Sequence, residues 1–143
     1  MFKKNKKRTA TELEQQAITT VIGPDIKIVG NLTGENAVRV DGTIEGNVSI
    51  KNGVILGDRS TVRGNLQSDY VVIYGQLQGN IEAKGLYLKN TGVIQGDIHV
   101  ESIEIELGGK YNGKLNMQAT AEVINIESVY KKKMENAEYA LAR

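Results

Sequence analysis

The chain has 143 residues, 40% of them apolar, with a formal net charge of +1, one histidine and no cysteine. That length and apolar fraction suit one hydrophobic core rather than two. Without cysteine there are no disulfides, thiolate metal sites or thiol nucleophiles, and a lone histidine, His99, cannot build a multi-histidine metal site.

Residues 1–19 open on Met1-Phe2-Lys3-Lys4-Asn5-Lys6-Lys7-Arg8, a run too charged to pack, and are predicted to be a disordered basic tail. Thr11 to Glu14 fits a capping box, which predicts at most a short helical turn there. Removing the five basic charges of the run from the net charge of +1 leaves residues 9–143 at −4 (1 minus 5), so the body is not expected to bind nucleic acid. The tail lacks the apolar stretch of about 7–15 residues that a secretory signal requires. The longest apolar runs, such as Val54-Ile55-Leu56 and Val71-Val72-Ile73, fall far short of the roughly 20 residues needed to cross a bilayer. A cytoplasmic location is the expectation.

From residue 20 to 126 the chain repeats. A Gly-[Asn/Asp]-aliphatic triplet recurs at Gly30-Asn31-Leu32, Gly46-Asn47-Val48, Gly64-Asn65-Leu66, Gly79-Asn80-Ile81 and Gly96-Asp97-Ile98. A degenerate sixth copy is Gly113-Lys114-Leu115, and the steps between glycines are 16, 18, 15, 17 and 17 residues. Two positions before the glycine stands an apolar column of Ile28, Ile44, Val62, Leu77, Ile94 and Tyr111; two after stands Leu32, Val48, Leu66, Ile81, Ile98 and Leu115. Mostly polar residues separate them, which is the period-2 alternation of strands buried on one face. A further apolar pair follows in each repeat, from Val38/Val40 through Val54/Leu56, Val71/Ile73 and Leu86/Leu88 to Ile103/Ile105, and less cleanly at Val123.

A coil of two or more short strands cannot bury its own apolar side, but stacked coils align these columns into a continuous core. The prediction is an all-β, single-domain parallel β-helix of about six coils. Left-handed hexapeptide solenoids keep multiples of 6, and steps of 15, 16 and 17 break that register, favouring the right-handed form. The glycines mark corners where a Cβ would clash. The stacked Asn31, Asn47, Asn65, Asn80 and Asp97 are placed to hydrogen-bond up the rod as a ladder. Calcium binding by that column is disfavoured, because a hard cation wants several carboxylates and the column offers one.

Residues 127–143 leave the repeat, and Lys131-Lys132-Lys133 followed by Met134, Ala137 and Leu141 predicts a short frayed helix or a loose tail. No strong polar cap closes either end of the solenoid, and uncapped coils expose strand edges and core side chains to which another rod can add. A contact of that kind that does not close gives an open filament. Ile22, Ile26 and Ile28 at one end, and Val123, Ile124 and Ile126 at the other, are the candidate contacts. No Gly-x4-Gly-Lys-[Ser/Thr] loop occurs, so assembly is expected to be independent of nucleotide, and no cofactor or metal is expected.

Thr20-Val21-Ile22-Gly23, Ile28-Val29-Gly30-Asn31-Leu32, Val38-Arg39-Val40-Asp41-Gly42 and Ile44-Glu45-Gly46-Asn47-Val48 resemble the bactofilin family. The resemblance covers about residues 20–126. It implies a right-handed β-helix that polymerises end to end without nucleotide, and a cytoplasmic scaffold that positions cell-wall, division, polar or motility machinery through client proteins. It also implies a short N-terminal segment that attaches the polymer to membrane, onto which Phe2, Lys3, Lys4, Lys6, Lys7 and Arg8 map as contacts to an anionic surface. In such proteins an aromatic near the last coil often serves the end contact; here the only Phe is Phe2, and Val123, Ile124 and Ile126 are expected to substitute.

Two other classes use related architectures. Hexapeptide acyltransferases resemble a strict period of 6 and commonly rely on a catalytic histidine, whereas His99 falls in an outward polar column. Polysaccharide-cleaving β-helices wall their acids with long loops, and coils this short leave Asp58, Asp69 and Glu82 no cleft in which to be desolvated. The reading is therefore a scaffold rather than an enzyme, with a non-polymerising β-helical adaptor as the first alternative and a hexapeptide-type solenoid acyltransferase as the second.

Overall fold

The computed structural model describes residues 18–117. The three coils nearest the N-terminus are β1 (Ile18–Ile22), β2 (Lys27–Val29) and β3 (Leu32–Gly34); β4 (Ala37–Val40), β5 (Thr43–Glu45) and β6 (Val48–Ile50); and β7 (Val54–Leu56), β8 (Thr61–Arg63) and β9 (Leu66–Ser68). Then come β10 (Tyr70–Ile73), β11 (Gln76–Gln78), β12 (Ile81–Leu88), β13 (Val93–Gln95), β14 (Ile98–Ile105), β15 (Lys110–Asn112) and β16 (Leu115–Met117). Every pairing is parallel, and no helix occurs among the described residues.

These strands stack into three faces. Face A runs β1, β4, β7, β10 and the later halves of β12 and β14. Face B runs β2, β5, β8, β11, β13 and β15. Face C runs β3, β6, β9, the earlier halves of β12 and β14, and β16. The architecture is the all-β parallel β-helix of about six coils that the repeat predicts, with three strands to a coil.

The expected columns are the core. On face B, Ile28, Ile44, Val62, Leu77, Ile94 and Tyr111 lie in strict register, and the four interior members are fully buried. On face C the line is Leu32, Val48, Leu66, Ile81, Ile98 and Leu115. Face A contributes Val38, Val54, Val71, Leu86 and Ile103, and beside them Ile22, Val40, Leu56, Ile73, Leu88 and Ile105. One more inward line, Gly34, Ile50, Ser68, Ala83, Val100 and Met117, completes face C and is too mixed in size and polarity to stand out in the sequence.

Candidate polymer interface

The corners set the spacing of the coils. Gly64 adopts φ +151°, and a Cβ there would strike the carbonyl oxygen of Gly46 one coil below; Gly46 stands in the same relation to Gly30. Glycine is required because the backbones approach so closely and because that φ disfavours L side chains. Beside this column the ladder forms as the sequence predicts. Asn31 Oδ1 accepts from the backbone N–H of Asn47, Asn47 from that of Asn65, Asn65 from that of Asn80, and Asn80 from that of Asp97, each at 3.0 Å. Asp97 Oδ1 then accepts from Lys114 N–H at 3.2 Å, and Lys114 has no oxygen with which to continue.

At the first coil, Ile26 is 48% exposed and Val29 74%, while Ile28 is half-buried against the core. Ile22 is only 6% exposed and packs into the core with Val38 and Val40, so little of its own surface faces outward from the end. At the last described coil, three positions of core columns lose their cover: Ile105 is 43% exposed, Tyr111 37% and Met117 53%. Leu107, at the corner between β14 and β15, is almost fully exposed. Val123, Ile124 and Ile126 lie outside the described residues, as do Phe2, Lys3, Lys4, Lys6, Lys7, Arg8, the Thr11 to Glu14 capping box and residues 127–143.

Sequence reasoning therefore missed Ile105, Leu107 and Met117 at the last described coil, and it treated Tyr111 as a core member. The available signal was position: a core column is exposed wherever the stack stops. Tyr111 also places an aromatic on the last described coil.

The outward positions of faces B and C are solvated. A groove of about 450 Å³ on face C is lined by Gln67, Asp69, Glu82, Lys84, His99 and Glu101 among others. His99 and Glu82 are exposed in adjacent register on β14 and β12, and Asp69 lies 3.9 Å from Lys84. Asp58 is exposed in the turn before β8, remote from that groove. Among the described residues no group of three or more His, Asp or Glu is placed to hold a metal ion, and no helix is long and apolar enough to cross a membrane.

With that geometry established, the sequence profile of the Bactofilin family, described as polymer-forming cytoskeletal, matches residues 20–116. The chain belongs to the bactofilin family. This bactofilin is 31% identical to BacP of Myxococcus xanthus over 112 residues, a match covering 76% of the chain and about half (47%) of BacP. Its fold superposes on the solid-state NMR structure of the cytoskeletal bactofilin BacA with a TM-score of 0.64 and 28% identity, over 68% of this chain and 94% of that one. A bactofilin of Thermus thermophilus, reconstructed as double helical filaments, shares the fold with a TM-score of 0.66 and 24% identity, over 69% of this bactofilin and 99% of that chain.

Proposed function

We propose that this bactofilin assembles end to end, through its terminal coils and without nucleotide, into filaments that form a cytoskeletal scaffold. The observation that carries the reading is the exposure of the core-column side chains Ile105, Tyr111 and Met117 at the last described coil of a rod whose interior columns are sealed, with Ile26 exposed at the first coil. Among the described residues, β2 and β15 are the two edge strands of the face B sheet. A second subunit would continue the core columns, burying Ile26 and Ile28 at one join and Ile105, Tyr111 and Met117 at the other, with Val123, Ile124 and Ile126 as further contacts from beyond Met117.

The scaffold lies on the cytoplasmic face of the cell membrane through Phe2 and the Lys3, Lys4, Lys6, Lys7 and Arg8 cluster. From there it positions client proteins of cell-wall, cell-shape, polar or motility machinery. The family's description as polymer-forming and cytoskeletal supports the assembly part of this reading.

Sedimentation at micromolar protein tests it. Ile26→Arg and Met117→Arg each place a charge in a contact that must be dry, at a cost of several kcal/mol per join if the charge stays unpaired. Each variant is expected to remain a folded β protein by circular dichroism and to leave the pellet. Folded variants that pellet like the parent would place the join elsewhere.

A further inference from the structure

Five successive coils turn from face C onto face A through a corner that carries one charge, and the sign alternates from coil to coil. One position after the inward line of Gly34, Ile50, Ser68, Ala83 and Val100 stand Glu35, Lys51, Asp69, Lys84 and Glu101. Strand alternation turns them outward, and stacking sets consecutive members about 4.8 Å apart along the rod. Elsewhere opposite charges close on each other: Glu45 lies 3.3 Å from Lys27 and 3.0 Å from Arg63, Arg39 lies 3.0 Å from Asp41, and Lys89 lies 3.2 Å from Glu106. In the corner row only Lys84 and Asp69 approach, and they stay 3.9 Å apart. Among the described residues Glu35, Lys51 and Glu101 have no ion-pair partner.

The row borders an open groove. An outward column of Ser49, Gln67, Glu82 and His99 runs two residues before it, all four exposed. Between the two lies the inward line, whose Gly34, Ser68 and Ala83 keep the floor low. Lys51, Asp69, Lys84 and Glu101 form one side of this face C groove of about 450 Å³, Glu35 is not part of its lining, and no aromatic side chain lines it. Lys51 and Lys84 are exposed, and Asp69 and Glu101 half-exposed.

We propose that two rods pair side by side and antiparallel through this groove, the occupant being a second copy of this chain. A row that alternates in sign complements itself when it is turned end for end and odd coils are set against even ones. About a two-fold axis between the third and fourth coils, Lys51 faces Glu101 of the second copy and Asp69 faces its Lys84. The symmetry repeats both contacts, so all four groove-lining charges are matched. A slip of one coil sets like charges together, so the alternation fixes the register as well as the partner. A partner carrying one sign of charge would be repelled by half of the row.

Exposed ion pairs are individually weak. Subunits already joined into a filament pair more tightly, because each side contact raises the effective concentration for the next. To that extent the pairing rests on the end-to-end assembly proposed above, although the contact itself needs only two rods.

Charge reversal on the full-length protein tests it. Lys51→Glu with Lys84→Glu makes the row acidic throughout, and Asp69→Lys with Glu101→Lys makes its groove-lining members basic. Cooperative melting establishes that each variant is folded, and negative-stain microscopy at micromolar protein and low salt reads the width of the assemblies. The parent is expected as paired rods that added salt separates. Each reversed protein alone is expected as single rods, with the paired fraction down ten-fold or more, and a 1:1 mixture of the two as paired rods again. The chain has no cysteine, so Lys51→Cys mixed with Glu101→Cys reads the register without background. An intermolecular disulfide is expected there at ten-fold or greater yield over Lys51→Cys mixed with Asp69→Cys. Assembly length reports the end joins, whereas width and the disulfide report the side contact, so the two proposals fail separately. Parent rods that stay single would leave the row to a different protein of alternating charge. That result, pairing that survives in either reversed protein alone, no rescue on mixing, or a link to position 69 in preference to 101 overturns the inference.

Discussion

At the scale of the residue, the glycine corner is the least forgiving position. Gly64→Ala places a methyl against the main-chain carbonyl of Gly46, at a φ that an L residue adopts only under strain. Backbone cannot step aside as a flexible side chain can, so the loss should exceed about 2 kcal/mol, a fall of about 10 °C or more in the thermal midpoint for a domain of this size. Differential scanning calorimetry checks it; an unchanged midpoint would mean that the coils are not stacked at this spacing. Gly64 and the asparagines beside it were legible in the sequence because each performs one task at one spacing in coil after coil. Ser68 was not. It occupies an inward position at 7% exposure, its hydroxyl has no hydrogen-bond partner, and its column neighbours include Gly34 and Ala83. A column that is glycine, isoleucine, serine and alanine in turn carries no hydrophobic periodicity to detect.

At the scale of the element, period-2 alternation located the strands of faces B and C and the inward half of face A. The outward half of face A was written in the same letters and read differently. Val54-Ile55-Leu56 and Val71-Val72-Ile73 are unbroken apolar triplets, the signature of strands covered on both sides. Their length excludes a membrane span, and their lack of alternation marks the one face whose outside is buried. The ends were only partly legible. Ile26 and Ile28 were identified from their place at the start of the first repeat, but exposure at the last described coil is not something that periodicity alone reveals. That placement also explains why Ile26 and Met117 are informative sites. Both are about half exposed, so an arginine there should shift stability little, of the order of 0.5 kcal/mol, while a dry join would lose several times that. Loss of pelleting without loss of folding is thus a statement about the join.

At the scale of the whole molecule, charge and repetition act together. Five basic side chains near an anionic surface contribute up to about 5 kcal/mol at roughly 1 kcal/mol each, and burying Phe2 adds about 1.5–3 kcal/mol. For one subunit that is weak, but a filament carries many tails, and each bound tail raises the effective concentration of its neighbours. Removing residues 1–8 should abolish co-sedimentation with anionic vesicles, and added salt should weaken the intact protein's binding, while filaments persist in both cases. Vesicle binding unchanged by the deletion would remove the tail from the account of the membrane.

The central claim is that subunits join along the axis on which their own coils stack. Strands in such a rod lie across the axis about 4.8 Å apart, so an aligned specimen of filaments carries that repeat in its diffraction. End-to-end assembly predicts the 4.8 Å reflection on the meridian, parallel to the filament. The same reflection on the equator would show rods lying side by side, and would contradict it.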